Sequence, residues 1–232
     1  MNETIHRLLV AAGCKPKKAV SISSVEATLQ KFGQSASKPL RDLFLTANGG
    51  TVRRLNSRFF SLKESISIWE NSFSELEWRF YPFFSDEEHE SDPVVLGMDG
   101  PLQGYVCQAK HGSDWRVLAP NLNSFIRFLK RLPDNKRFFV EEGSFVYPRT
   151  LSEGELYVAK GLVDLSYESK ATCMERSTFA ELALSMISDA ELLQVLRLES
   201  HPDSNSSFLI RRRLEAISTA PAKKALAKIC GK

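Results

Sequence analysis

Residues 40–52 read LRDLFLTANGGTV. Leu40, Leu43, Phe44 and Ala47 recur at i, i+3, i+4 and i+7, the stripe of an amphipathic helix. The stripe ends at Asn48-Gly49-Gly50, and a β-like pattern follows. Paired glycines can cradle a phosphate, cap a helix or turn the chain. A phosphate loop leads from a strand into a helix N-terminus, whereas these glycines follow a helix. Asn and Gly accept the left-handed backbone that ends a helix at little steric cost. Asn48, Gly49 and Gly50 are therefore read as a structural junction. The helix before them begins near Ser37-Lys38-Pro39, with proline tolerated in the first turn.

Upstream, Ser23 and Glu26 have capping-box spacing. Val25, Leu29 and Phe32 then keep helical spacing, and Gly33 stops the run. Downstream, SRFFSL reads as a short strand. Ser61 and Glu64 form another capping-box pair, with Leu62, Ile66 and Trp69 on one helical face. RFYPFF, PVVLGM, QGYVCQA and DWRVLA are four further strand candidates, rich in Val, Leu and aromatics. Gly100-Pro101 and residues 111–114 supply turns, so the last two strands read as an antiparallel hairpin. Asn121 or Asn123 then caps a helix carrying Phe125, Phe128, Leu129 and Leu132, ended by Pro133. The order is helices, strands, helix, an α+β domain with an antiparallel or mixed sheet flanked by helices.

Residues 134–150 read as a further strand or a linker. Beyond them the pattern is helical. Ser152 and Glu155, Thr178 and Glu181, and Ser188 and Glu191 all match the capping-box spacing. Phe179, Leu182, Ala183 and Met186 form one stripe; Leu192, Val195 and Leu196 form the next. Residues 208–217 and 221–229 read as two more short helices. The expected organisation is an α+β domain over 1–149 and an all-helical C-terminal extension over 150–232.

Across 232 residues the formal charge is only +3, too little for a general polyanion binder. The distribution is uneven: +7 over residues 1–60, −8 over 61–115, +4 over 116–149 and zero beyond. Four dispersed cysteines without CxxC pairing fit free thiols in a reducing compartment. No apolar run reaches the roughly 20 residues of a membrane span. The N-terminus lacks the basic start of a signal peptide. A cytoplasmic protein is expected.

The most unusual local feature is SDEEHESD, residues 85–92, where Asp86, Glu87, Glu88, Glu90 and Asp92 crowd around His89. It reads either as a solvated loop or as a docking face for a basic partner, because dense like charge speeds association with an opposite surface. The ordered spacing and glycine of a calcium loop are missing. Glu70, Glu75 and Glu77 add nearby negative charge. Trp78 and Tyr81 are candidate aromatic anchors, while Trp69 reads better as core. Cys107 and His111 have zinc-compatible spacing but no second pair. Arg211-Arg212-Arg213 reads as an exposed helix side. No nucleophile elbow, H-E-x-x-H or P-loop occurs. The residues make no case for a catalytic, cofactor or metal site.

Residues 20–132 resemble the SMI1/KNR4 superfamily, also called SUKH. SVEATLQKFG is similar to its first helix, KPLRDLFLTANGG to its second with the Asn-Gly-Gly ending, and FFSLKESISIW to the next strand and short helix. The stretch from YPFF to SFIRFL is similar to its β-meander and closing helix, with Ser124-Phe125 and Phe128-Leu129 matching a Ser-Phe-x-x-Phe-Leu ending. The resemblance implies protein binding without catalysis. Many bacterial members are immunity proteins that occlude a cognate toxin, often a nuclease. The expectation is a protein partner, such as a basic toxin, with no direct nucleic-acid or membrane binding. The alternative is a two-module regulatory or scaffold protein whose helical tail recruits a second partner.

Overall fold

In the computed structural model the described residues are 3–30, 38–72, 80–86, 92–108, 115–132, 151–168, 170–197 and 201–230. They form an α+β protein built around a seven-stranded antiparallel sheet. The chain divides into two compact units. One comprises Met1–His111 and Leu118–Phe145; the other comprises Gly112–Val117 and Val146–Lys232. The grouping of 112–117 with the C-terminal helices is not apparent from sequence order.

In the first unit the order is α1 (Glu3–Ala11), β1 (Cys14–Pro16), α2 (Ile22–Gln30), α3 (Lys38–Thr46), β2 (Gly50–Val52) and β3 (Ser57–Phe59). Then follow α4 (Leu62–Ser72), β4 (Phe80–Asp86), β5 (Val94–Gly97), β6 (Val106–Gln108), β7 (Arg116–Ala119, beginning in the second unit's segment) and α5 (Leu122–Arg131). The strands lie in the sheet in chain order, a simple meander. Helices α2 and α3 lie in the connection from β1 to β2, and α4 in that from β3 to β4, while antiparallel neighbours need no crossover. Cys14 pairs with Val52, Gly50 with Phe59, Phe59 with Phe84 and Tyr81 with Leu96.

Pro82 sits inside β4, although proline cannot donate to a ladder. The register shifts between Pro82 and Phe84, and the bulge absorbs the missing donor. Helices α1, α3 and α5 pack against one another, and α4 packs on β4. The core joins Leu9, Leu40, Phe44, Phe83, Phe84 and Phe125. Its aromatic rings meet edge to face: Phe59–Phe84 at 4.8 Å, Phe84–Phe125 at 5.4 Å and Phe83–Phe125 at 5.6 Å between centroids.

The helix-start expectations hold in part. Ser61 and Glu64 form the reciprocal bonds of a capping box. At α2, however, the cap is Ser21, whose hydroxyl accepts from the Ser24 amide. The helix starts earlier than Ser23, because the first suitable hydroxyl ends the extended chain. Helix α1 and strand β1 are elements that the motif reading passes over, although Ile5, Leu9 and Ala12 are buried.

The second unit contains α6 (Glu153–Ser166), α7 (Cys173–Met186), α8 (Asp189–Val195), α9 (Ser204–Ile217) and α10 (Ala220–Ile229). Capping boxes open α6 at Ser152 and α8 at Ser188. For α7 the box is Thr172 with Glu175, not Thr178 with Glu181, which lie mid-helix. Glu181 instead accepts from the Trp115 amide at 3.1 Å, and Ser185 from the Val117 amide at 2.9 Å. The unit's core is mainly aliphatic, with Leu162, Leu182, Ala183, Leu192 and Leu214 buried beside Phe179.

Candidate partner-binding surface

The Asn-Gly-Gly junction is structural, in a way more specific than a helix stop. Only Gly49 adopts the left-handed conformation, at φ +86°. A Cβ there would lie 3.0 Å from the Ser61 amide nitrogen, and one on Gly50 would lie 2.7 Å from the Lys15 carbonyl oxygen. Gly50 is therefore required by the close approach of β1. Asn48 does not turn left-handed; its Oδ1 accepts from the Leu62 amide at 2.8 Å, capping the start of α4. One tripeptide thus ends α3, admits β1 and starts α4.

Beside this junction, Arg58 on β3 reaches Glu64 on α4 at 2.5 Å. Burial pushes the Glu64 carboxyl up, but bonds from the Ser61 hydroxyl and amide, together with Arg58, outweigh it and hold the pKa at about 2. The side chain is an anchored anion that joins strand to helix.

The acidic stretch begins at the end of β4, where Asp86 pairs in register with Ser57. Glu87, Glu88, His89 and Glu90 lie outside the described residues, as do Glu75, Glu77 and Trp78. Two of the expected surface residues are corrected. Tyr81 is fully buried, with its ring edge-on to Phe44 at 5.8 Å. Burial raises its phenol pKa, partly opposed by the Ser65 hydroxyl. It is a core residue and cannot anchor a partner. The reason is that β4 is covered on both faces, with Phe80 to Ser85 all buried, and an unalternating apolar run is the mark of such a strand. Asp92 is likewise buried, so its carboxylate is not part of a docking face. Trp69 is half-buried and packs against the core, while Glu70 is exposed.

The remaining polar chemistry is distributed. Among the described residues no group of three or more His, Cys, Asp or Glu is placed to hold a metal. Cys14 and Cys107 are buried free thiols. Burial pushes Cys14 up to about 12 and Cys107 higher still, which keeps both as neutral thiols. His111 lies outside the described residues. Among the described residues no helix is long and apolar enough to cross a membrane.

Sequence reasoning missed three polar residues that hold helix ends. Arg54 Nε donates to the Ala12 carbonyl at 2.9 Å and Nη1 to the Leu132 carbonyl at 2.5 Å, while Nη2 bonds the Leu129 carbonyl. It ties together the C-terminal ends of α1 and α5. Arg213, expected on an exposed helix side, instead donates to the Leu184 and Ile187 carbonyls at the end of α7 and pairs with Asp189 at 3.2 Å. His201 is buried against Ser166. No local spacing announces such long-range contacts.

The structure defines the class: an α+β meander with an accompanying helical unit. Comparison with protein families, with curated proteins and with solved structures finds no match.

Proposed function

We propose that this chain is a cytoplasmic protein-binding module that occludes a basic protein, such as a nuclease toxin, by surface complementarity, with no reaction of its own. The observation that carries this reading is the order of elements from α2 to α5. Two helices, the Asn-Gly-Gly junction, a meander and a closing helix follow one another, the order implied by the SMI1/KNR4 resemblance. Asp86, Glu87, Glu88 and Glu90, with Glu75, Glu77 and Trp78, remain the proposed contact residues; Tyr81 and Asp92 do not. Charge of one sign concentrated between two strands accelerates encounter with a basic surface.

The test is affinity capture from a lysate of the source organism, with the wild-type chain and with Asp86, Glu87, Glu88 and Glu90 all exchanged for Lys. A basic protein held by the wild type should associate at least about tenfold more slowly with the variant at low salt. Equal rates would remove this segment from the interface. The division into two units favours, as a second reading, a scaffold whose helical part recruits another protein. In that unit Tyr157 and Phe208 are 78% and 59% exposed. Exchanging both for Ser should release such a partner and leave capture of the basic protein intact.

A further inference from the structure

His201 is 6% exposed, in the segment that enters α9. Its neighbours dictate where its hydrogen sits. Ser166 Oγ donates its hydrogen to the Val163 carbonyl at 2.6 Å, so it accepts from His201 Nε2, 3.0 Å away. In the neutral ring Nδ1 is then an acceptor, and the Asp203 amide donates to it at 3.0 Å. The Asp203 carbonyl oxygen also lies 3.2 Å from Nδ1. That carbonyl already accepts from the Ser207 amide at 3.0 Å, the first helical bond of α9. The Asp203 carboxylate holds the amide and hydroxyl of Ser206, each at 2.7 Å. One imidazole therefore fixes the first turn of α9 to the last turn of α6.

Burial, more than the groups facing the ring, disfavours a cation there. Tyr167 stands edge-on at 4.3 Å, and its own ring carries the Arg197 guanidinium at 4.7 Å. Arg197 is 4.0 Å from Asp164 on α6. Burial lowers the pKa of His201; the bond and charge of Asp203 partly offset this, and Arg176 on α7 lowers it further.

We propose that His201 is an acid-operated latch on α9. A proton taken from solvent at Nδ1 turns that atom from acceptor to donor. The ring then loses the Asp203 amide, because two N–H groups would face each other across a 3.0 Å contact, and this loosens the first turn of α9 from α6. A released histidine binds its proton near pH 6.5, and the latched one only at lower pH. The latch is therefore closed above about pH 6.5 and is driven open as pH falls from there toward the latched value, by up to about tenfold per pH unit. This does not depend on the partner proposed above.

The test is amide hydrogen exchange on the full chain at pH 7.5 and 5.0, corrected for the intrinsic pH dependence of exchange. The opening constant at Ser206 to Ile210 should rise, by at most about thirtyfold, with α5 unchanged. His201→Gln, which cannot titrate, should abolish the rise. Should that variant not fold, nitrogen NMR of the wild-type ring decides. It should show hydrogen on Nε2 at pH 7.5, and protonation that coincides with α9 opening. Unchanged α9 protection at pH 5.0, the same pH dependence in His201→Gln, or hydrogen on Nδ1 at neutral pH would each overturn the latch.

Discussion

The two units are stabilised by different kinds of interaction. In the first, Phe59, Phe83, Phe84 and Phe125 come from two strands and a helix and lock edge to face. In the second, capping boxes open α6, α7 and α8, Asp203 and Thr219 cap α9 and α10, and the core is mainly aliphatic, with Phe179 its buried phenylalanine. The sheet unit therefore adds a cluster of long-range aromatic contacts to its core, and the helical unit adds a side-chain cap at every helix start. A single lesson follows: damage to the first should be abrupt, and damage to the second graded.

The largest test of that contrast is Phe125→Ala. Phe125 is fully buried and touches Phe83 and Phe84. Its truncation should destabilise the sheet unit by about 3–5 kcal/mol, read by denaturant unfolding with tryptophan fluorescence. Leu214→Ala, at a buried aliphatic position of α9, should fall nearer the lower part of the roughly 2–5 kcal/mol range for such changes. Equal losses would break the contrast.

Next come the two arginines, which do the same job in the two units. Arg54 holds three carbonyls from two helices; Arg213 holds two from one helix and an exposed carboxylate. Charge-assisted bonds to helix-end carbonyls contribute about 1.5–3 kcal/mol each, though not additively. Arg54→Met should lower stability by about 2–4 kcal/mol, and Arg213→Met by about 1–3 kcal/mol. Hydrogen exchange should rise at the ends of α1 and α5 in the first variant and at the end of α7 in the second. A global rise in both would mean that the units do not respond separately.

The same division explains what was legible in the sequence. The stripe at Leu40, Leu43, Phe44 and Ala47 and the boxes at Ser61, Ser152 and Ser188 are patterns within one or two helical turns, and all are present. Thr178 with Glu181 shows the limit of such spacing. The same three-residue interval occurs mid-helix, and only the real start at Thr172 distinguishes it. Tyr81 shows another: a strand's two faces differ only if one is wet, and neither face of β4 is. Arg54 and His201 act across 75 and 35 positions respectively, where no local pattern can reach. The acidic segment was legible as charge, but its contribution depends on a partner.

The smallest effect compares two capping boxes, one from each unit. Glu64 and Glu191 each return a carboxylate to the amide and hydroxyl before the helix, and each accepts one further donor. For Glu64 that donor is Arg58; for Glu191 it is the Leu151 amide at 3.1 Å. Glu191 is also held below the usual carboxylate range, chiefly by the Ser188 amide and hydroxyl against burial. A depressed folded-state pKa contributes stability above the unfolded value, about 4.3, and loses it as pH falls toward the folded value. For Glu64 that window runs from about 4.3 down to about 2. Glu64→Gln should cost about 1 kcal/mol at neutral pH, a modest figure because its side chain is 35% exposed and solvent screens Arg58. The variant should also flatten the stability profile across that window. Glu191→Gln should flatten less, because an uncharged donor, the Leu151 amide, stands where Glu64 has Arg58. The reverse order would show that the helical unit depends on single charges as much as the sheet unit does.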